Sequence, residues 1–174
     1  GVCFLTKKNI FLKLNGFDEL LFAHMEEIDY CWKCYLAGYE CWVEPKAIIY
    51  HYGAKTLNYQ SSKKTYLNHR NSMILLLTNY KLSLSLFLFP LRIFLELLSF
   101  IYDLFKLRFK HAYMHLKALF YVLFNIKHLW KRRQLISKIR QVSDKSLFDQ
   151  KIFLNESIVK KYFLFKQKKY SQIK

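Results

Sequence analysis

Three carboxylates, Glu26, Glu27 and Asp29, fall within four positions at the start of an apolar-periodic segment. They belong to a wider acidic stretch, Asn15 to Pro45, that also holds Asp18, Glu19, Glu40 and Glu44 in a chain of formal charge +17. A helix N-terminus favours anions, because its free N–H groups and its dipole stabilise negative charge. Helix-end electrostatics alone therefore accounts for acids in a first turn. Two adjacent acids add something more, since neighbours on a helix point about 100° apart. One carboxylate can face a cleft while the other turns to a neighbouring loop. Held in that way and ionised near neutral pH, such a group is suited to take a proton from a hydroxyl.

Charge divides the chain in two. Residues 1–44 carry seven acids against Lys7, Lys8, Lys13 and Lys33, a net −3, and the remainder carries +20. Every glycine (Gly1, Gly16, Gly38, Gly53) lies in the first 53 residues, so turn chemistry is concentrated there and a boundary is expected within 53–70. The opening, Gly1 with neither initiator Met nor a signal-peptide pattern, reads as the C-terminal part of a longer protein. The four cysteines suggest no disulfide ladder and fit a reducing compartment.

The elements expected to position the acids alternate. Val2–Leu5 suits a buried strand, and "TKKNIFLKLNG" reads as a short helix closed by Gly16. From Glu26, the apolar positions Ile28, Cys31, Trp32, Tyr35 and Leu36 mark an amphipathic helix ended by Gly38. "YECWVEP" and "AIIYHY" look like short strands broken by Pro45, which gives an α/β texture. "SSKKTYLNHRNSMILLLTNY" then begins a helix, and an aromatic, Leu-rich and basic region follows. Its uncharged run Leu82–Leu91 is ten residues, short of the ~20 a spanning helix needs. Extension to Phe105 admits Arg92, Glu96 and Asp103, of which Arg92 and Glu96 stand at i, i+4 and can pair. The lysine-rich tail from Ser143 reads as one loose helix.

The stretch "NGFDELLFAHMEEIDYCWKCYLAGYECWVEPKAIIYHYGAKT", with "HRN" (His69, Arg70, Asn71) beyond it, resembles the C-terminal half of the catalytic domain of family 2 glycosyltransferases, which have the GT-A fold. A Gly-Phe-Asp-Glu turn, an acidic pair leading into "Asp-x-Cys-Trp", a Gly-Tyr turn, a Pro and a strand ending in His stand in the family's order from about Gly1 to Asn79. The resemblance implies half of a GT-A α/β domain over residues 1–79, a helical basic membrane-associating region over 80–142, and a tail over 143–174. It implies inverting transfer from a nucleotide-sugar donor to a hydroxyl of a glycan or lipid-linked acceptor, in bacterial cell-surface polysaccharide or glycolipid synthesis. Glu27 takes the place of the catalytic base, usually Asp, with one methylene more reach. Glu26 is the companion acid that orients the acceptor or the loop. Asp18, Glu19 and Asp29 fall on the acceptor side, Asp29 also bracing the helix start against Lys33, where Arg is usual. His51 matches a His brought near the donor diphosphate or the metal. The divalent cation, Mg or Mn, is held in that family by an upstream Asp-x-Asp, a pattern these 174 residues lack. The fragment by itself is expected to be inactive.

Other patterns carry less. Cys31 and Cys34 form a C-x-x-C without a second pair at metal spacing, and Cys31 falls on the apolar stripe. His111 and His115 lie at i, i+4 without the Glu of a metalloprotease and are expected on a basic helix face. Residues 80–174 admit three readings. They are helices on an anionic membrane surface, nucleic-acid binding, and a bundle packed within the protein or between copies as a homo-oligomer. Aromatics embedded in Leu runs, with no nucleic-acid signature, favour the membrane and speak against nucleic acid. The expected location is the cytoplasmic side of the cell membrane, peripheral or monotopic. The alternative function is a non-catalytic membrane-binding or scaffold protein that retains the fold.

Overall fold

The computed structural model describes residues 3–51, 61–154, 158–163 and 165–167. Among them are the helices α1 (Lys8–Lys13), α2 (Glu26–Leu36), α3 (Ser62–Asn79), α4 (Leu82–Phe105), α5 (Phe109–Phe124), α6 (Ile126–Ile139), α7 (Asp144–Asp149) and α8 (Ile158–Phe163). The described residues contain no strand, so the expected α/β half of a GT-A domain is corrected to an all-α arrangement. The three stretches that looked like strands show why. A strand needs a partner for its backbone N–H and C=O groups, and composition does not supply one. The stretches 39–44 and 47–51 instead run without a strand partner among the described residues: Tyr39 and Cys41 are half-buried against α2, and Trp42, Val43, Ile48 and Tyr50 turn to solvent. Residues 3–7 are likewise non-helical and unpaired, while Val2 and Tyr52 lie outside the described residues.

The chain divides into two compact units, residues 1–141 and 142–174. In the first, α3 is the central helix, packed by α5, α4 and α6 along its length and by α2. Residues on the two sides of position 80 thus fold together. Met73, Ile74 and Leu75 of α3 meet Ala118 and Val122 of α5, Leu129 of α6 and Leu21 of the loop before α2. Burial of Met73 and Ile74, both fully inaccessible, contributes about 1.5–3 kcal/mol each. A second cluster, Leu14, Tyr30, Cys34 and Ala37 with Ile10 and Phe11, seats α1 on α2. α1 ends as its sequence implies: Asn15 and Gly16 both take positive φ, and Gly16 N–H donates to Phe11 O at 2.8 Å.

α4 reverses the ordinary rule. Its buried residues are Ser85, Glu96 and Asp103, all polar, on a face shared with Arg92. The opposite stripe, Phe87, Leu91, Phe94, Leu98, Ile101 and Phe105, is exposed throughout. The inward acids are satisfied by neighbours. Glu96 receives Arg92 Nη1 at 2.7 Å, as the i, i+4 spacing implies, and lies 2.9 Å from His69 Nδ1 and 2.7 Å from His115 Nδ1. Asp103 meets His115 Nε2 at 3.1 Å and pairs with Arg108. His115 is accordingly buried between two carboxylates and not on a basic face, while His111 Nδ1 lies 2.8 Å from Thr65 Oγ1. The arginines of α6 and of its C-terminal cap also turn inward, while Lys127, Lys131 and Lys138 stay exposed. Arg132 is buried, Arg133 donates to Tyr80 O and Ser85 Oγ, and Arg140 donates to Asn79 O.

In the second unit the expected single tail helix is two six-residue helices among the described residues. Ser143 caps α7, its Oγ accepting from Ser146 N–H at 3.1 Å.

Candidate functional site

The acids singled out by sequence line a cleft of about 340 Å³, with Asp18, Glu19, Glu26 and Glu27 facing Phe4, Phe17 and Phe22. Glu26 and Glu27 are the first two residues of α2, where the free N–H groups of the first turn favour carboxylates. The aromatic wall is backed by buried Tyr30. Phe4 meets its ring edge-on at 5.0 Å, and Phe17 lies 5.8 Å from it and 5.7 Å from Phe4. Lys63 Nζ stands 5.1 Å from the Phe22 ring centre at the rim. Among the described residues, Glu26 Oε2 is buried and makes no hydrogen bond. A buried acceptor in that state is suited to a hydroxyl donor from a bound molecule.

The loop that feeds Glu26 is strained. Phe22, His24 and Met25 all adopt positive φ, a region that costs a non-glycine residue roughly 1 kcal/mol or more. α3 imposes this conformation. Fully buried Asn71 donates from Nδ2 to Leu21 O at 2.8 Å, Ala23 O at 3.0 Å and His24 O at 2.7 Å. Arg70 Nη2 adds a bond to Leu20 O at 2.7 Å, and its guanidinium lies between the rings of Tyr66 and Tyr121. Arg70 and Asn71 of the "HRN" triplet therefore act as a clamp that collects backbone carbonyls and aims the start of α2, while His69 turns away to Glu96.

Behind the cleft lies a buried hub. Arg132 of α6 donates from Nε to Asp18 Oδ2 at 2.7 Å, from Nη2 to Asp29 Oδ1 and from Nη1 to Asn79 Oδ1 at 2.7 Å, with a further bond to Thr78. Asn79 Nδ2 also donates to Asp29 Oδ1 at 2.8 Å. Lys33 Nζ lies 3.3 Å from Asp29 Oδ2 and donates to Gly16 O at 2.6 Å. Asp29 is fully buried in this hub, braced against Lys33 as the i, i+4 spacing implies, and is not among the cleft residues. Burial alone would raise the Asp18 carboxyl, but the Arg132 guanidinium and the Leu20 N–H hold it below its usual value.

His51 is exposed, lies outside any strand and is not part of the cleft lining. Among the described residues the cleft offers no fitting ligand set for the donor-side divalent cation: the sequence has no Asp-x-Asp, and His51 is not in the cleft lining. Cys31, Cys34 and Cys41 are free thiols gathered on one side of α2. A hydrogen bond with Cys41 draws the Cys31 thiol down to about 7. Ile28, expected to anchor the helix, is about half exposed, whereas Trp32 packs into the core and meets Tyr80 edge-on at 4.6 Å.

Sequence reasoning placed Asp18, Glu19, Glu26 and Glu27 together, and it missed Arg132. An arginine 105 residues beyond Glu27, inside a run of basic residues, carries no local sign of pairing with Asp29. Compared with protein-family models, with curated proteins and with solved structures, the chain gives no significant match in any of the three.

Proposed function

We propose that this chain carries the acceptor side of an inverting glycosyltransferase that works at the cytoplasmic face of a membrane. The reading rests on one observation: a single cleft joins Glu27, Glu26, Asp18 and Glu19 to an aromatic wall. Carboxylates that accept from sugar hydroxyls and rings that cover apolar sugar faces suit a carbohydrate acceptor. Glu27, at the helix start, takes the acceptor hydroxyl proton. The acceptor oxygen then bonds to the anomeric carbon as the bond to the leaving nucleoside diphosphate breaks on the opposite face, inverting the centre. Glu26 holds the acceptor in line, and Asp18, fixed by Arg132, closes the wall. None of these roles requires a sheet in this chain, because the groups sit on a helix start and on the loop clamped by α3.

The inverted α4 supports the membrane seat. By length and composition α4 can cross a bilayer, with 24 residues and a mean hydropathy of 2.0 over its most apolar window. Its packing argues for another placement. A crossing α4 would carry α3 into hydrocarbon, along with Lys63, Lys64 and Arg70, at a cost of several kcal/mol for each charge. Lying in the interfacial plane instead, α4 sets its outward Phe and Leu stripe among acyl chains, while exposed Lys106, Arg108, Lys110, Lys127 and Lys131 meet anionic headgroups. The same stripe is compatible with a non-catalytic membrane-binding protein, and one assay separates the two readings. The intact protein is incubated with a panel of nucleotide-sugars and membrane lipid extract. Release of nucleoside diphosphate matched by sugar transfer to an acceptor is expected, and membrane binding without release from any donor would leave the non-catalytic reading.

A further inference from the structure

We propose that α3, α4 and α5 form a zinc site from His69, Glu96 and His115, independent of the cleft and of the transferase reading. The ligand atoms of these three side chains, one on each helix, lie within 4.8 Å of one another. A tetrahedral zinc ion with bonds near 2.1 Å holds its ligands about 3.4 Å apart, so closure needs side-chain shifts of about 1 Å.

Three features support a metal over a plain polar contact. The first is the support each ligand receives. His115 directs Nδ1 to the centre while Nε2 lies 3.1 Å from Asp103 Oδ2, the carboxylate–histidine arrangement that fixes the tautomer of a metal-bound imidazole. Arg92 holds Glu96 Oε2 through Nη1 at 2.7 Å and is anchored on Ser72 Oγ through Nη2 at 2.9 Å. Glu96 Oε1 meets His115 Nδ1 at 2.7 Å and Oε2 meets His69 Nδ1 at 2.9 Å, so an entering ion replaces these two imidazole–carboxylate contacts. The second is burial. Glu96 and His115 are almost inaccessible, while the His69 side chain is about a quarter exposed, so the fourth position opens toward solvent on one side only. Three protein ligands with one open position is the pattern of reactive rather than closed zinc sites. The third is the charge already present. Arg92 and Arg108 face the two carboxylates, so an incoming ion is held by imidazole bonding more than by excess negative charge. That donor set suits zinc or cobalt and disfavours magnesium and calcium, which take oxygen ligands.

The test titrates the intact, metal-stripped protein with zinc chloride by calorimetry and with cobalt(II) by visible absorption, beside magnesium and calcium controls. One zinc per chain is expected, with cobalt giving the intense visible bands of four- or five-coordination and with no magnesium or calcium uptake. Because thiols also bind zinc, the titration is repeated on the Cys3→Ser, Cys31→Ser, Cys34→Ser, Cys41→Ser variant, which should retain the site. His69→Gln, at the most exposed ligand, should abolish uptake at micromolar zinc while the far-ultraviolet circular dichroism stays unchanged. Asp103→Asn should weaken binding about 10–100-fold. No zinc uptake by the protein, uptake that vanishes with the thiols, or full uptake by a folded His69→Gln variant would each overturn the proposal.

Discussion

Replacing Arg132 by Met should be among the costliest single changes in the first unit. The methionine keeps most of the buried volume but removes the guanidinium from Asp18, Asp29, Thr78 and Asn79. Asp29, with no solvent access, keeps only Asn79 at 2.8 Å and Lys33 at 3.3 Å. Breaking a buried ion pair from one side costs about 3–5 kcal/mol, since the remaining charge is stranded. Lys33 offsets part of that, so about 3 kcal/mol is expected. With a urea slope of about 2 kcal/mol per molar, the unfolding midpoint falls by about 1.5 M. Urea unfolding followed by circular dichroism and by tryptophan fluorescence reads the shift, with Trp32 reporting from α2 itself. Adding Asp29→Asn removes the stranded charge, so the double variant should recover about 2 kcal/mol relative to the sum of the single changes. A loss under about 1 kcal/mol in Arg132→Met, or strictly additive effects in the double variant, would refute the hub as the support of the cleft.

Two further outcomes follow from the geometry. Asp18 has a depressed folded-state pKa, so its contribution to stability is complete above its unfolded value of 3.8 and is lost as pH falls through the lower folded value. Asp18→Asn should therefore lower stability at neutral pH and flatten the acid limb below pH ~4, and an unchanged acid limb in urea midpoints would speak against the Arg132 pairing. Phe94→Asp, at the middle of the exposed stripe of α4, should leave the thermal midpoint nearly unchanged and sharply reduce flotation with anionic vesicles. The binding that remains in the unsubstituted protein should weaken at high salt, and flotation indifferent to either change would remove the membrane seat.

How far the sequence could be read depends on the range of the forces involved. The start and end of α2 were legible, since first-turn acids and Gly38 act within one or two turns, as was the Arg92–Glu96 pair at i, i+4. The strands were not. Val, Ile and Tyr in 39–51 satisfy strand composition, but pairing is a long-range property, and among the described residues no neighbouring chain supplies it. His115 was misjudged for a different reason. Periodicity finds the faces of a helix, and which face turns inward is then inferred from the rule that apolar groups are buried. α4 breaks that rule, and Asp103 and Glu96 on its inner face draw His115 in with them. The cleft acids were legible as a group because they lie within ten positions, whereas Arg132, which holds Asp18, and Asn79, which joins it on Asp29 behind the cleft, act through contacts no local pattern announces.

The central claim is that the carboxylate of Glu27 removes the acceptor proton, and steady-state turnover of Glu27→Gln in the intact protein tests it most directly. Gln keeps the size and loses the base, so kcat should fall by a factor of order 100 or more while donor KM stays within about twofold. Turnover preserved in a folded Glu27→Gln protein would contradict the account.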